Sequence, residues 1–102
     1  MGEVEVRLKE LLLEKAELMG VEIVSLEVMP DHVHLFVHAK PTHSPHQLIK
    51  QFKGATSRVL RSEFRYLKSR LPTLWTNSYF CESVGHISEI TVKKYIEEQK
   101  NK

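Results

Sequence analysis

The chain of 102 residues carries one cysteine, Cys81, and one tryptophan, Trp75. A single thiol excludes an internal disulfide framework and fits a reducing, cytoplasmic setting, where Cys81 reads as a small apolar filler. No apolar run approaches the roughly 20 residues that span a bilayer. Leu11-Leu12-Leu13 is flanked by glutamates and lysines. The N-terminus lacks the apolar centre of a secretory signal. Glycine and proline number four each, and there is no repeat, low-complexity tract or linker. Residues 1–102 are therefore expected to form one domain with one modest core and no membrane partner.

Charge is what the sequence does have, and it is unevenly placed. Residues 1–30 hold seven glutamates against Arg7, Lys9 and Lys15, a balance of −4 within a chain of net +2. Residues 44–70 hold Lys50, Lys53, Arg58, Arg61, Arg65, Lys68 and Arg70 against Glu63, a balance of +6. One face of the second half is thus suited to a polyanion, although a solvated basic helix face has the same composition.

Val4, Leu8, Leu11, Leu12 and Met19 recur at helical spacing, and Gly20 is a natural stop. Residues 21–28, VEIVSLEV, alternate, with Val24, Leu26 and Val28 on one side. After Met29-Pro30-Asp31 a second extended run covers 32–39, which predicts a β-hairpin. Ser44-Pro45 reads as an N-cap and first helical residue, opening a helix to about Tyr66 whose buried stripe is Leu48, Ile49, Phe52, Val59, Leu60 and Phe64. Leu74-Trp75 and 79–84 read as short extended pieces around Asn77-Ser78. Gly85 reads as a hinge, Ser88 as an N-cap and 89–100 as a last helix. The order is α-β-β-α-β-α, an α+β sandwich on an antiparallel sheet.

The stretch DHVHLFV raises the chemical question. Side chains alternate along a strand, so His32, His34, Phe36 and His38 share one face, and Val33, Leu35 and Val37 share the other. The valine–leucine face belongs to the core, which leaves the two imidazoles on the far side, roughly 7 Å apart along the strand. They are placed either to share a metal ion or simply to be polar residues on an open sheet face. Asp31 either orients a ring or ends the hairpin. His38, His43, His46 and His86 read as surface residues. Tyr95 and Gln99, four apart on the last helix, would lie on one helical face.

Taken in order, LEVMPDHVHLFV, SPHQLIKQFKGATSRVL, LWTNSYF and VGHISEITVKKYIEEQ resemble the small single-tyrosine transposases of insertion sequences, members of the HUH (His-hydrophobic-His) nuclease superfamily. The resemblance covers nearly the whole chain. It implies a ferredoxin-like or RRM-like sandwich with a C-terminal helix carrying the tyrosine. It implies Mg²⁺ or Mn²⁺ held by His32, His34 and Gln99, with Tyr95 as the nucleophile. Single-stranded DNA bearing a hairpin would be cut and rejoined through a 5′-phosphotyrosine link, by a homodimer whose tyrosine helices can complete each other's sites. Lys50, Lys53, Arg58, Arg61 and Arg65 would then meet phosphates. Tyr79, Phe80 and Trp75 are available to stack bases, but Trp75 and Phe80 suit core packing better. Members of the family open with a further strand beside the histidine strand, whereas helical spacing here begins by Glu3. A histidine strand with an unpaired edge is the consequence to be expected.

Three other readings share these residues. A host-serving relative with the same chemistry would differ only in substrate, acting on repeated palindromes. A non-enzymatic nucleic-acid-binding sandwich would not need the Tyr95 hydroxyl. A metal-dependent hydrolase using His32 and His34 would cleave without a covalent adduct.

Overall fold

The structure, a computed structural model, describes residues 3–29, 31–39, 43–64 and 74–94. Elements follow in the order α1 (Glu3–Met19), β1 (Glu22–Val28), β2 (His32–His38), α2 (Pro45–Glu63), β3 (Trp75–Val84) and β4 (Ile87–Lys94). The strands form one antiparallel sheet in the order β1-β2-β4-β3. The expected α+β class with an antiparallel sheet is what the chain adopts.

Local chemistry sets the helix ends. α1 stops where Gly20 takes a positive φ of 72°. There the Val21 amide donates to the Ala16 carbonyl at 2.9 Å and the Gly20 amide to Glu17 at 3.1 Å. This is a Schellman closure, with Val21 buried beside it. α2 opens on a complete capping box: the Gln47 amide donates to Ser44 Oγ at 3.2 Å, and the Ser44 amide donates to Gln47 Oε1 at 3.3 Å. Val4, Leu8, Leu11, Leu12 and Ala16 of α1 meet Leu48, Ile49, Phe52 and Leu60 of α2 over Val33, Leu35, Val37, Ile90 and Val92. Thr56, absent from the expected stripe, is fully buried among them. Its hydroxyl donates to the Phe52 carbonyl at 2.8 Å and accepts from Trp75 Nε1 at 3.0 Å, so both polar groups are satisfied in the core. Trp75 is thus a core residue. Arg7 joins the two helices through a two-pronged ion pair with Glu63, both contacts at 2.9 Å.

The structure corrects the expected strands in four places. Ile23 pairs with Val37 and Ser25 with Phe36, so Val24 is an extra, bulged residue. The bulge turns Val24 out, 58% exposed, and brings Ile23 to the core side with Leu26 and Val28. The two pieces expected around Asn77-Ser78 are one strand, β3, with an irregularity between Trp75 and Tyr79. Gly85 is the first central residue of a two-residue β3–β4 turn, with φ of 62°, rather than a hinge before a helix.

Last, Ser88 caps no helix, and residues 87–94 are a strand where a helix was expected from Glu89. The alternation of ISEITVKK explains it. Ser88, Ile90, Val92 and Lys94 are buried while Ile87 and Lys93 stay exposed, and β-branched residues fill four of the eight positions. The strand also has a partner waiting. β2 pairs with β1 on one edge and with β4 on the other, so the unpaired histidine edge does not arise. Residues 95–100, the remainder of the expected helix, lie outside the described residues.

Candidate metal and DNA site on the open sheet face

β2 fixes the site by alternation alone. Val33, Leu35 and Val37 are buried under the helices, so His32, His34, Phe36 and His38 must face the other way. The ladder then assigns their neighbours. Glu27 of β1 lies directly across from His34, and Ser25 across from Phe36. From β4, Lys93 lies across from His32, Thr91 from His34 and Glu89 from Phe36. Beyond β4, Phe80 and Glu82 of β3 pair with Thr91 and Glu89. Phe80 is therefore not a core residue. It stands on the same face as the histidines, 57% exposed.

Each imidazole is held by a carboxylate. Asp31 Oδ1 lies 2.8 Å from His32 Nδ1, and Glu89 Oε2 lies 2.9 Å from His34 Nε2. Glu27 Oε1 is 3.8 Å from His34 Nδ1, outside hydrogen-bond range. The His34 ring meets Phe36 edge-on at 5.1 Å. His32 holds the Asp31 carboxyl below the usual carboxylate range, chiefly through their hydrogen bond. Carboxylates behind imidazoles are the usual support of metal-ligating histidines, fixing the ring and its tautomer. The donor types thus fit a divalent ion. Among the described residues, however, no three His, Cys, Asp or Glu side chains already converge to hold one.

Not every expected site residue comes to this face. Tyr95, Gln99 and Arg65 lie outside the described residues. Lys94, the last described residue, lies beside the histidine strand, where its amide donates to the Asp31 carbonyl at 2.9 Å. Lys50, Lys53, Arg58 and Arg61 sit on α2, on the opposite side of the sheet from His32 and His34. Lys50 and Arg58 are exposed and Arg61 is half-buried. Lys53 turns inward to donate to the Thr76 carbonyl at 2.7 Å, and burial pushes its ammonium below the usual lysine value. At the start of α2, the exposed His46 meets Tyr79, whose hydroxyl is 3.4 Å from Nδ1. His38 and His86, both exposed, stack edge-on at 6.0 Å at the far end of β2.

The family model described as "Transposase IS200 like" matches residues 1–99. The chain belongs to the IS200-like transposases. The ISDra2 transposase TnpA of Deinococcus radiodurans is 38% identical to it over 103 residues, covering 99% of this chain and 74% of that protein. The crystal structure at 1.90 Å of a candidate transposase from D. radiodurans R1 superposes with a TM-score of 0.74 and 35% identity, over 99% of this chain and 73% of that one. This transposase is accordingly a DNA-processing enzyme in general class. Among its described residues no helix is long and apolar enough to cross a membrane.

Sequence reasoning singled out His32, His34 and Asp31 and passed over Glu27 and Glu89, which the structure sets beside His34. Both are exposed or half-exposed glutamates, indistinguishable in the sequence from any solvated carboxylate. Only the pairing of β1 and β4 on either side of β2 brings them to the imidazoles.

Proposed function

We propose that this transposase cleaves and rejoins single-stranded DNA at hairpin-bearing element ends through a covalent link to Tyr95. The observation that carries the reading is the carboxylate-backed pair His32 and His34 on the open face, with Lys94, the residue before Tyr95 in the sequence, bonded to Asp31. His32, His34 and Gln99 would hold Mg²⁺ or Mn²⁺. A bound divalent ion supplies Lewis-acid polarisation of the scissile phosphate. The Tyr95 oxygen attacks phosphorus in line and loses its proton, while the phosphorus–O3′ bond breaks and the leaving oxygen takes up a proton. The products are a 5′-phosphotyrosine and a free 3′-OH, and the link keeps the bond energy for rejoining. A phenol titrates near about 10, so the site must favour the phenolate.

The remaining residues divide the task of holding DNA. Phe80, exposed on the same face two strands from His34, offers a stacking surface for an unpaired base. On the helix layer, Lys50, Arg58 and Arg61 would meet phosphates, and Arg65, outside the described residues, would join them. Lys53 would contribute least, because its ammonium already serves Thr76. The sheet separates that grip from the chemistry. The enzyme would act as a homodimer, with the segment carrying Tyr95 and Gln99 able to serve either subunit.

The test uses end-labelled single-stranded hairpin DNA from the flanks of the coding locus, with Mn²⁺, on a denaturing gel. The expected result is a band at the summed mass of protein and DNA, absent for Tyr95→Phe and with EDTA. Cleavage without an adduct would mean a hydrolase, and binding without cleavage a DNA-binding module.

A further inference from the structure

We propose that Glu27 is a ligand of the same divalent ion, that His34 binds it through Nδ1, and that Glu89 is the positioning residue that leaves that nitrogen free. The proposal rests on the reading of His32 and His34 as metal ligands and adds to it which atoms do the binding.

The geometry begins with cross-strand register. Glu27 is the direct partner of His34 across the β1–β2 ladder, on the open face, with its carboxylate 3.8 Å from Nδ1. Such a separation is too long for a hydrogen bond. Donors about 2.1 Å from one octahedral ion stand about 3.0 Å apart when adjacent and about 4.2 Å when opposite, so a small change in the Glu27 rotamer brings the pair to ligand spacing. The Glu27 side chain is 67% exposed, so its rotamer can close on an ion without disturbing packing.

Tautomer chemistry points the same way. Glu89 Oε2 lies 2.9 Å from His34 Nε2, and a carboxylate there accepts a hydrogen bond. Nε2 must then carry the proton, which in a neutral imidazole leaves the lone pair on Nδ1, facing Glu27. Asp31 works on the other nitrogen of His32. Its contact with Nδ1 at 2.8 Å leaves Nε2 as the donor. The two histidines would therefore ligate through different nitrogens, each backed by its own carboxylate.

Charge supplies the motive. Glu22, Glu27 and Glu89 flank the β2 histidines, with Glu82 next to Glu89 on β3. Left unneutralised, this row repels a DNA phosphate, and a divalent ion seated among them removes the repulsion. Imidazoles by themselves favour zinc and other late transition metals, whereas a carboxylate oxygen moves the preference toward the harder Mg²⁺ and Mn²⁺.

The test titrates the full chain with Mn²⁺ alone, and separately with Zn²⁺ alone, by calorimetry without DNA. Wild type is compared with His34→Ala, Glu27→Gln and Glu89→Gln. Glu27→Gln keeps the size of an exposed side chain and is expected to weaken Mn²⁺ by roughly tenfold or more while Zn²⁺ falls less. Long-range ¹⁵N–¹H spectra of the metal-free chain should show His34 protonated at Nε2 and bare at Nδ1. In Glu89→Gln the tautomers should become mixed. Wild-type Mn²⁺ affinity in Glu27→Gln, or a His34 protonated at Nδ1, overturns the proposal while the histidine centre stands. Full Mn²⁺ affinity in His34→Ala overturns the histidine centre itself, and this proposal with it.

Discussion

The two faces of β2 are built from the same seven residues and have opposite tasks. Val33, Leu35 and Val37 are buried against the helices, while His32, His34 and Phe36 stand one residue away on a face where polar groups keep partial contact with water. The core face is close-packed and tolerates little change. On the open face a side chain can be exchanged at small cost to the fold, because what it contributes is a lone pair, a charge or a ring. Burial fixes the strand, and the strand in turn aims the imidazoles, which Asp31 and Glu89 then hold. The arrangement teaches that in a domain this small the rigid support of a site can be the reverse side of the same strand.

Substitutions on the two faces should separate cleanly, and the largest effect belongs to the core. Leu35→Ala, at a side chain 3% exposed, should cost about 2–5 kcal/mol of unfolding free energy, read by urea denaturation. An equal loss for His34→Ala would mean that the open face is structural and would remove the contrast. Next in size, Phe80→Ala should weaken single-stranded DNA binding by about 1–3 kcal/mol in a fluorescence titration and leave the denaturation midpoint nearly unchanged. The reverse pattern would make Phe80 a packing residue after all. The smallest effect lies away from the sheet, at the Arg7–Glu63 pair that ties α1 to α2. Arg7, hydrogen-bonded to it, holds the Glu63 carboxyl below the usual range. A carboxyl depressed in the folded state stabilises the fold above the ordinary glutamate pKa of about 4.3, and that contribution is lost as pH falls through the folded value. Thermal melts of Glu63→Gln and wild type should therefore differ slightly near neutral pH and converge in acid. Because both side chains are partly exposed, the gap should narrow further with added salt.

The elements that proved legible were those with local causes. The α1 stripe with its Gly20 stop, the capping box at Ser44, and the hairpin carrying His32 and His34 each answer to interactions within a few residues along the chain. What escaped was non-local. The last helix was expected from Gly85 as a hinge and Ser88 as an N-cap, but over 87–94 the open edge of β2 and an alternating, β-branched sequence make a strand. A bulge at Val24 reverses the facing of Ile23, and one extra residue in a ladder has no signature in a seven-residue strand. Lys53 looked like its neighbours in the basic stripe until the Thr76 carbonyl came within reach.

The sequence by itself determined that β2 has a core side and a histidine side, because alternation and hydrophobicity are properties of consecutive residues. It also carried enough ordered similarity to mark the chain as an IS200-like transposase. Only the tertiary structure decided what stands beside the histidines. Glu27 and Glu89 are 62 residues apart in the chain, and no local rule joins them. They meet His34 because β1 and β4 hydrogen-bond to opposite edges of one strand, and that register is set by the packing of the whole sheet against its helices.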